Sequence, residues 1–166
     1  MKVLLLVNPF SSSVTARTRV LIRKALAGAH DVELVETARR NHATRLAQGA
    51  AAEGVDVVIV LGGDGTVNEA ANGLAGTGTA LGVLPGGSTN VFARSIGLPN
   101  DPIEATTRLL EAMAAGSIER VGSAPPTAGT SASTWGSATT PPSSSRWSGA
   151  RASSGGPATP CSSTPG

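Results

Sequence analysis

Gly62-Gly63-Asp64-Gly65-Thr66 stands between a strongly apolar stretch and a helical one. Glycines let a backbone reach conformations closed to other residues and let a ligand approach its N–H groups. A helix beginning near Thr66 would aim its positive end at the same point, a setting for an anion such as phosphate. Asp64 repeats the charge of a phosphate, so it makes sense there beside a divalent cation or a substrate hydroxyl. The plainer reading is a strand-to-helix turn with Asp64 as a helix cap. Two other segments, Asn8-Pro9-Phe10-Ser11-Ser12 and Pro85-Gly86-Gly87-Ser88-Thr89-Asn90, also follow apolar runs. Neither common nucleotide fingerprint is present. No Lys-Ser or Lys-Thr pair follows the glycines, and the first strand ends in NPFSSS rather than G-x-G-x-x-G.

The elements that must hold these segments follow from the hydrophobic pattern. Val3–Val7 and Val55–Leu61 are near-continuous apolar runs of strand length, as expected of parallel strands covered on both faces. Asp31–Val35 alternates apolar and charged residues, the pattern of a strand nearer an edge, and Ala80–Leu84 is a fourth strand. Helices are expected over Val14–Leu26, capped from Ser11–Ser13, and over His42–Glu53, Val67–Leu74 and Thr89–Ile96. Asp101 as cap, Pro102 in the first turn and Gly116 at the end mark a helix over 101–115. Ile118–Val121 would begin a fifth strand. Strands alternating with helices predict an α/β fold, a parallel sheet with helices on both faces. Ligands in such folds sit beyond the carboxyl ends of the strands, where the three special segments would converge.

Composition narrows the setting. The formal net charge is +2 and the cations are scattered, so nothing argues for nucleic acid. The single cysteine, Cys161, supports neither a disulfide framework nor a metal site. The opening apolar run is too short for a signal peptide or a membrane span, which makes a cytoplasmic protein the expectation. From Ser123 to Gly166 only Ser, Ala, Pro, Thr, Gly, Arg, Trp and Cys occur. Such a stretch buries too little apolar surface to offset its ordering entropy, so disorder is expected there.

Together VNPFSS, GGDGTVNEAANGL and LPGGSTNVFARSIGLP resemble the catalytic domain of the diacylglycerol-kinase-like lipid kinases, which include sphingosine kinases. The resemblance covers residues 1–121 and leaves 122–166 as a separate low-complexity segment. It implies a Rossmann-like nucleotide domain using ATP and magnesium, with a lipid substrate at the membrane surface. It also implies nucleotide contacts from Asn8, Pro9, Phe10, Ser11, Ser12 and Thr37, and from Gly62, Gly63, Asp64, Gly65, Thr66, Val67, Asn68 and Glu69. His42-Ala43 matches the family's HA pair, and Asn90, Phe92, Ala93 and Arg94 match its next motif. Ser88 stands where the family usually has threonine, and Val91 where it often has aspartate. Phosphoryl transfer to a hydroxyl needs a proton acceptor, and Asp64 is the loop carboxylate suited to it. The family draws further carboxylates from a carboxyl-terminal β-rich domain that has no counterpart in this sequence. NAD kinases share GGDGT, but Asn68-Glu69 and Asn72-Gly73-Leu74 match the lipid-kinase continuation. A nucleotide-binding fragment without activity is the other alternative.

The final segment permits one more reading. Its eight residue types are those of GC-rich codons read out of register. Shifting the frame lets Thr134–Pro142 be reread as HVGLGYDAA, which resembles the glycine-rich segment that follows the fifth strand in these kinases. A one-base loss near codons 121–123 is the expectation, and resequencing the locus tests it.

Overall fold

The computed structural model of the chain describes residues 1–119. The frame-shift expectation and the segment 122–166 lie outside the described residues. Four parallel strands form one sheet in the order β2-β1-β3-β4: β1 (Lys2–Val7), β2 (Asp31–Glu36), β3 (Val57–Gly62) and β4 (Ala80–Pro85). Their burial explains their sequences. β3 is buried at every residue, whereas Asp31, Glu33 and Glu36 of edge strand β2 reach solvent.

Helices cover both faces. On one, Leu4, Leu6, Val58 and Val60 pack against α2 (His42–Ala52) and α3 (Asp64–Leu74). On the other, Val3, Leu5, Val7, Ile59 and Leu61 meet Ile22 and Leu26 of α1 (Ala16–Ala27) and Ala105 of α5 (Pro102–Ala114). The period-two alternation of β1 thus feeds two separate cores. A short helix, α4 (Val91–Ser95), follows β4 and adds Ala93 to the first core.

α2 and α3 lie unusually close. A Cβ on Gly73 would stand 2.4 Å from the Thr44 carbonyl oxygen and 2.9 Å from the Ala47 Cβ. The Thr44 hydroxyl also donates to the Glu69 carbonyl at 2.8 Å. Gly73 therefore has a packing reason that periodicity alone does not reveal.

Several expected boundaries move. The cap of α1 is Thr15, whose side chain accepts from the Thr18 N–H, not one of Ser11–Ser13. α3 begins at Asp64, so Gly65 and Thr66 are helical and the turn is confined to Gly63. Residues 118 and 119 are not strand, and Val121 lies outside the described residues. Asp101 caps α5 as expected, accepting from the N–H groups of Ile103 and Glu104 at 2.9 Å each.

Candidate functional site

The chain leaves β1 for β2 on one side, then crosses back to β3 on the other. Between β1 and β3 the connections part, which opens a crevice at the carboxyl ends. Asn8 sits in it and is fully used. Its N–H donates to the Leu61 carbonyl at 2.9 Å, its Nδ2 to the Thr66 hydroxyl at 2.9 Å, and its Oδ1 accepts the Phe10 N–H at 3.0 Å. Asn8 thereby folds its own turn and ties it to the first turn of α3. Pro9 and Ser11 belong to that turn, with the Ser11 N–H returning to the Asn8 carbonyl.

The two glycine segments lie against each other. The Gly86 N–H donates to the Gly62 carbonyl at 2.9 Å. A Cβ on Gly86 would stand 2.8 Å from the Gly62 nitrogen and Cα, and one on Gly87 2.9 Å from the Gly63 Cα. None of these glycines has a positive φ; the positive-φ glycines are Gly54, Gly76, Gly97 and Gly116. The expectation of special backbone conformations is corrected here: these glycines permit two backbones to touch. Gly65 differs. A Cβ there would meet nothing within 4 Å, and its N–H, in the first turn of α3, has no protein acceptor among the described residues.

Asp64 fastens the same two loops. Its Oδ1 accepts the Phe92 N–H at 3.0 Å, and its Oδ2 accepts the Val91 N–H at 3.0 Å and the Thr89 hydroxyl at 3.2 Å. It caps α4 from another segment of the chain. Burial pushes its pKa up. Hydrogen bonds from the Phe92 and Val91 amides, the Thr89 hydroxyl and its own amide outweigh that and hold the carboxyl below its usual value. Asn90 completes the lock. It is buried, with φ of 44°, accepts the Gly87 N–H at 2.8 Å, and donates to the Gly87 carbonyl at 2.7 Å and to Asn100 Oδ1 at 2.8 Å. Left-handed backbone is tolerated better by asparagine than by most residues.

Beside this packed joint is an open cleft of about 190 Å³, lined by Asn8, Phe10, Thr37, Thr66, Glu69 and two arginines, Arg39 and Arg40. Thr37 is buried, its N–H bonded to the Val7 carbonyl at 2.8 Å. His42 Nδ1 accepts the Ala38 N–H at 3.0 Å and so bends the loop that carries the arginines. Neither arginine is in a salt bridge among the described residues. Their positions in ETARRNHA carried no periodic or motif signal, so only the fold reveals them. Phe10 is 82% exposed at the rim.

Other expected site residues stand apart from the cleft. Val67 lies in the core, and its N–H is bonded to the Gly63 carbonyl. Ser12, Asn68 and Ser88 are exposed and do not line it. A larger hollow, about 550 Å³, lies at the opposite ends of β1 and β2, and none of the expected site residues lines it.

The donor set does not fit a resident magnesium. Three of the four lone-pair positions of Asp64 are taken, Glu69 is the one carboxylate lining the cleft, and no group of three metal-ligating side chains occurs among the described residues.

The family profile of the diacylglycerol kinase catalytic domain matches residues 2–121. The chain belongs to the diacylglycerol kinase catalytic domain family. It is 49% identical over 63 residues to a diacylglycerol kinase of Bacillus subtilis (strain 168), covering 37% of this chain and 21% of that one. To a diacylglycerol kinase of Mycobacterium tuberculosis (strain H37Rv) it is 41% identical over 101 residues, or 59% of this chain and 32% of that one. A crystal structure of a diacylglycerol kinase from Bacillus anthracis superposes with TM-score 0.62 at 38% identity, over 66% of this chain and 39% of that one. The chain thus spans a fifth to a third of the length of these curated relatives. Lipid-kinase membership agrees with the parallel sheet and with the crevice at its switch point. Among the described residues no helix is long and apolar enough to cross a membrane.

Proposed function

We propose that residues 1–121 are the nucleotide-holding part of a kinase that moves the terminal phosphoryl group of ATP onto a lipid hydroxyl such as that of diacylglycerol. The hydroxyl oxygen attacks the γ-phosphorus, the bond to the β-phosphate oxygen breaks, ADP leaves, and the hydroxyl proton passes to a base. The observation that carries this reading is the cleft at the ends of β1 and β2. There Thr66, in the first turn of α3, lines the cleft with Arg39 and Arg40, and the exposed Gly65 immediately before it leaves its N–H without a protein acceptor among the described residues. Backbone N–H groups at a helix start and nearby guanidinium groups are what a polyphosphate requires. Magnesium belongs to this proposal as a companion of the nucleotide, because it commonly keeps several waters and binds through substrate phosphates.

Asp64 takes a different part from the proton acceptor expected of it. A carboxylate with three donors and a lowered pKa is a weaker base than an ordinary one. We assign it to holding the loops in register, and the proton acceptor to a carboxylate of the carboxyl-terminal β-rich domain that the family resemblance implies. A second reading, nucleotide binding without transfer, is favoured by the same three hydrogen bonds, which leave the glycine loops no ordinary carboxylate base. The assay incubates the chain with γ-labelled ATP, magnesium and separately diacylglycerol, sphingosine or NAD in detergent, with ATP binding measured alongside. Label in phosphatidic acid supports the first reading. ATP binding without labelled product supports the second, and a frame-restored protein that labels diacylglycerol would then support the truncation argument. Label in NAD phosphate contradicts both.

A further inference from the structure

The segment between β2 and α2 carries both cleft arginines and is held by few bonds. Residues 38–41 are exposed, and Asn41 takes a left-handed φ of 60° with no side-chain hydrogen bond to cap α2. Among the described residues two hydrogen bonds tie this segment down, and both run to His42. The His42 N–H donates to the Arg39 carbonyl at 3.3 Å, and the Ala38 N–H donates to His42 Nδ1 at 3.0 Å. The second bond defines the state of the ring. Nδ1 accepts only while it carries no proton, so the imidazole is neutral with its hydrogen on Nε2. A second proton would sit on Nδ1 and face the Ala38 N–H, setting one donor against another.

We propose that His42 is a positioning residue of the nucleotide cleft: its neutral Nδ1 holds Arg39 and Arg40 where they grip phosphates, and its protonation releases them. The charged groups around the ring come from several elements. Its own loop and helix supply Arg39, Arg40 and Arg45. Across from α2, α3 supplies Glu69 and Asp64, the latter already engaged by three donors. β1 supplies only Lys2, at its far end, and β3 has no charged residue. Glu36, at the end of β2, is paired with Arg19. His42 itself makes no ion pair among the described residues, so the Ala38 amide is the partner its ring stands to lose. The inference rests on the nucleotide reading above for its consequence, while the tie from Ala38 to His42 is a property of the fold.

Calorimetric titration of the full chain with magnesium-ATP, beside the amide resonance of Ala38 in the isotopically labelled chain, tests the proposal. Measurements at about pH 7.5 and about pH 5.5 bracket the range in which histidines change charge. Wild type is expected to lose about tenfold more affinity between the two than His42→Asn does. The asparagine oxygen can still accept from Ala38 but never charges, so that variant reports the nucleotide's own protonation. His42→Ala should bind about fivefold more weakly than wild type at the higher pH and then follow the shallow course of His42→Asn. His30→Gln, at the chain's other histidine, should keep the full wild-type step. Without nucleotide, the Ala38 amide should move with the ring's titration in wild type and stay fixed in His42→Asn. The proposal is overturned if wild type and His42→Asn follow one pH course, if His42→Asn binds as weakly as His42→Ala at the higher pH, or if the Ala38 amide ignores the ring. An Ala38 amide that follows the ring while no variant binds ATP supports the tie and counts against the nucleotide reading alone.

Discussion

The joint between the ends of β3 and β4 and the cleft between β1, β2 and α3 are neighbours built on opposite terms. In the joint, Gly62, Gly63, Gly86 and Gly87 bring two backbones into contact, and Asp64 and Asn90 satisfy the amides around them. Little polar capacity is left there for a ligand. In the cleft, Arg39 and Arg40 have no ionic partner among the described residues, and Gly65, next to the lining residue Thr66, faces open space. A single motif, GGDGT, spans both. Its first glycines and its aspartate hold the two loops together, its last glycine is open to solvent, and its threonine lines the cleft. Glycine in a motif therefore has to be assigned by what a Cβ would strike, residue by residue.

Substitutions that break this division should grade accordingly. Gly86→Ala is expected to cost the most, roughly 3 kcal/mol by urea denaturation, because its Cβ would meet the unyielding Gly62 backbone as well as the Val14 side chain. Asp64→Ala should cost about 1–2 kcal/mol, as loss of a helix cap does. Its pH dependence has a definite sign. The folded carboxyl titrates below the unfolded one, so its stabilisation is complete above roughly pH 3.9 and is lost as pH falls through the folded value. Chemical denaturation at stepped pH should show wild type and Asp64→Ala converging in acid and separated at neutrality.

The cleft should respond in binding instead. Gly65→Ala should leave the urea midpoint unchanged or slightly raised, because alanine favours a helix and meets nothing there, while ATP affinity falls about tenfold through crowding of the phosphate approach. Arg39→Ala and Arg40→Ala should each change stability by less than about 0.5 kcal/mol. Each should weaken ATP binding several-fold by equilibrium dialysis, with a smaller salt dependence than wild type. Equal losses of stability and binding at Gly65 and Gly86 would erase the distinction between the regions.

Much of the frame was legible beforehand. The apolar runs VLLLV and VVIVL specify two central strands, and Asp101-Pro102 marks a helix start by local chemistry alone. Convergence of the three loops on one edge followed from strand-helix alternation. What stayed hidden depended on atoms distant in sequence. The neighbours of Gly86 come from the preceding glycine loop, the donors to Asp64 from the loop after β4, and Thr44 explains Gly73. Thr15 could not be separated from three nearby serines, since all are acceptable caps and only the Thr18 amide decides. Arg39 and Arg40 carried no signal in the sequence, and only the end of β2 places them in the same cleft as Thr66.

Titrating magnesium-ATP into the isotopically labelled chain and following backbone amide resonances tests the central claim most directly. The account predicts saturable shifts at Gly65, Thr66, Thr37, Arg39 and Arg40, with smaller ones at Gly86 and Gly87. Shifts confined to Asp31, Glu33 and their neighbours in the opposite hollow, or no saturable shifts at all, would contradict it.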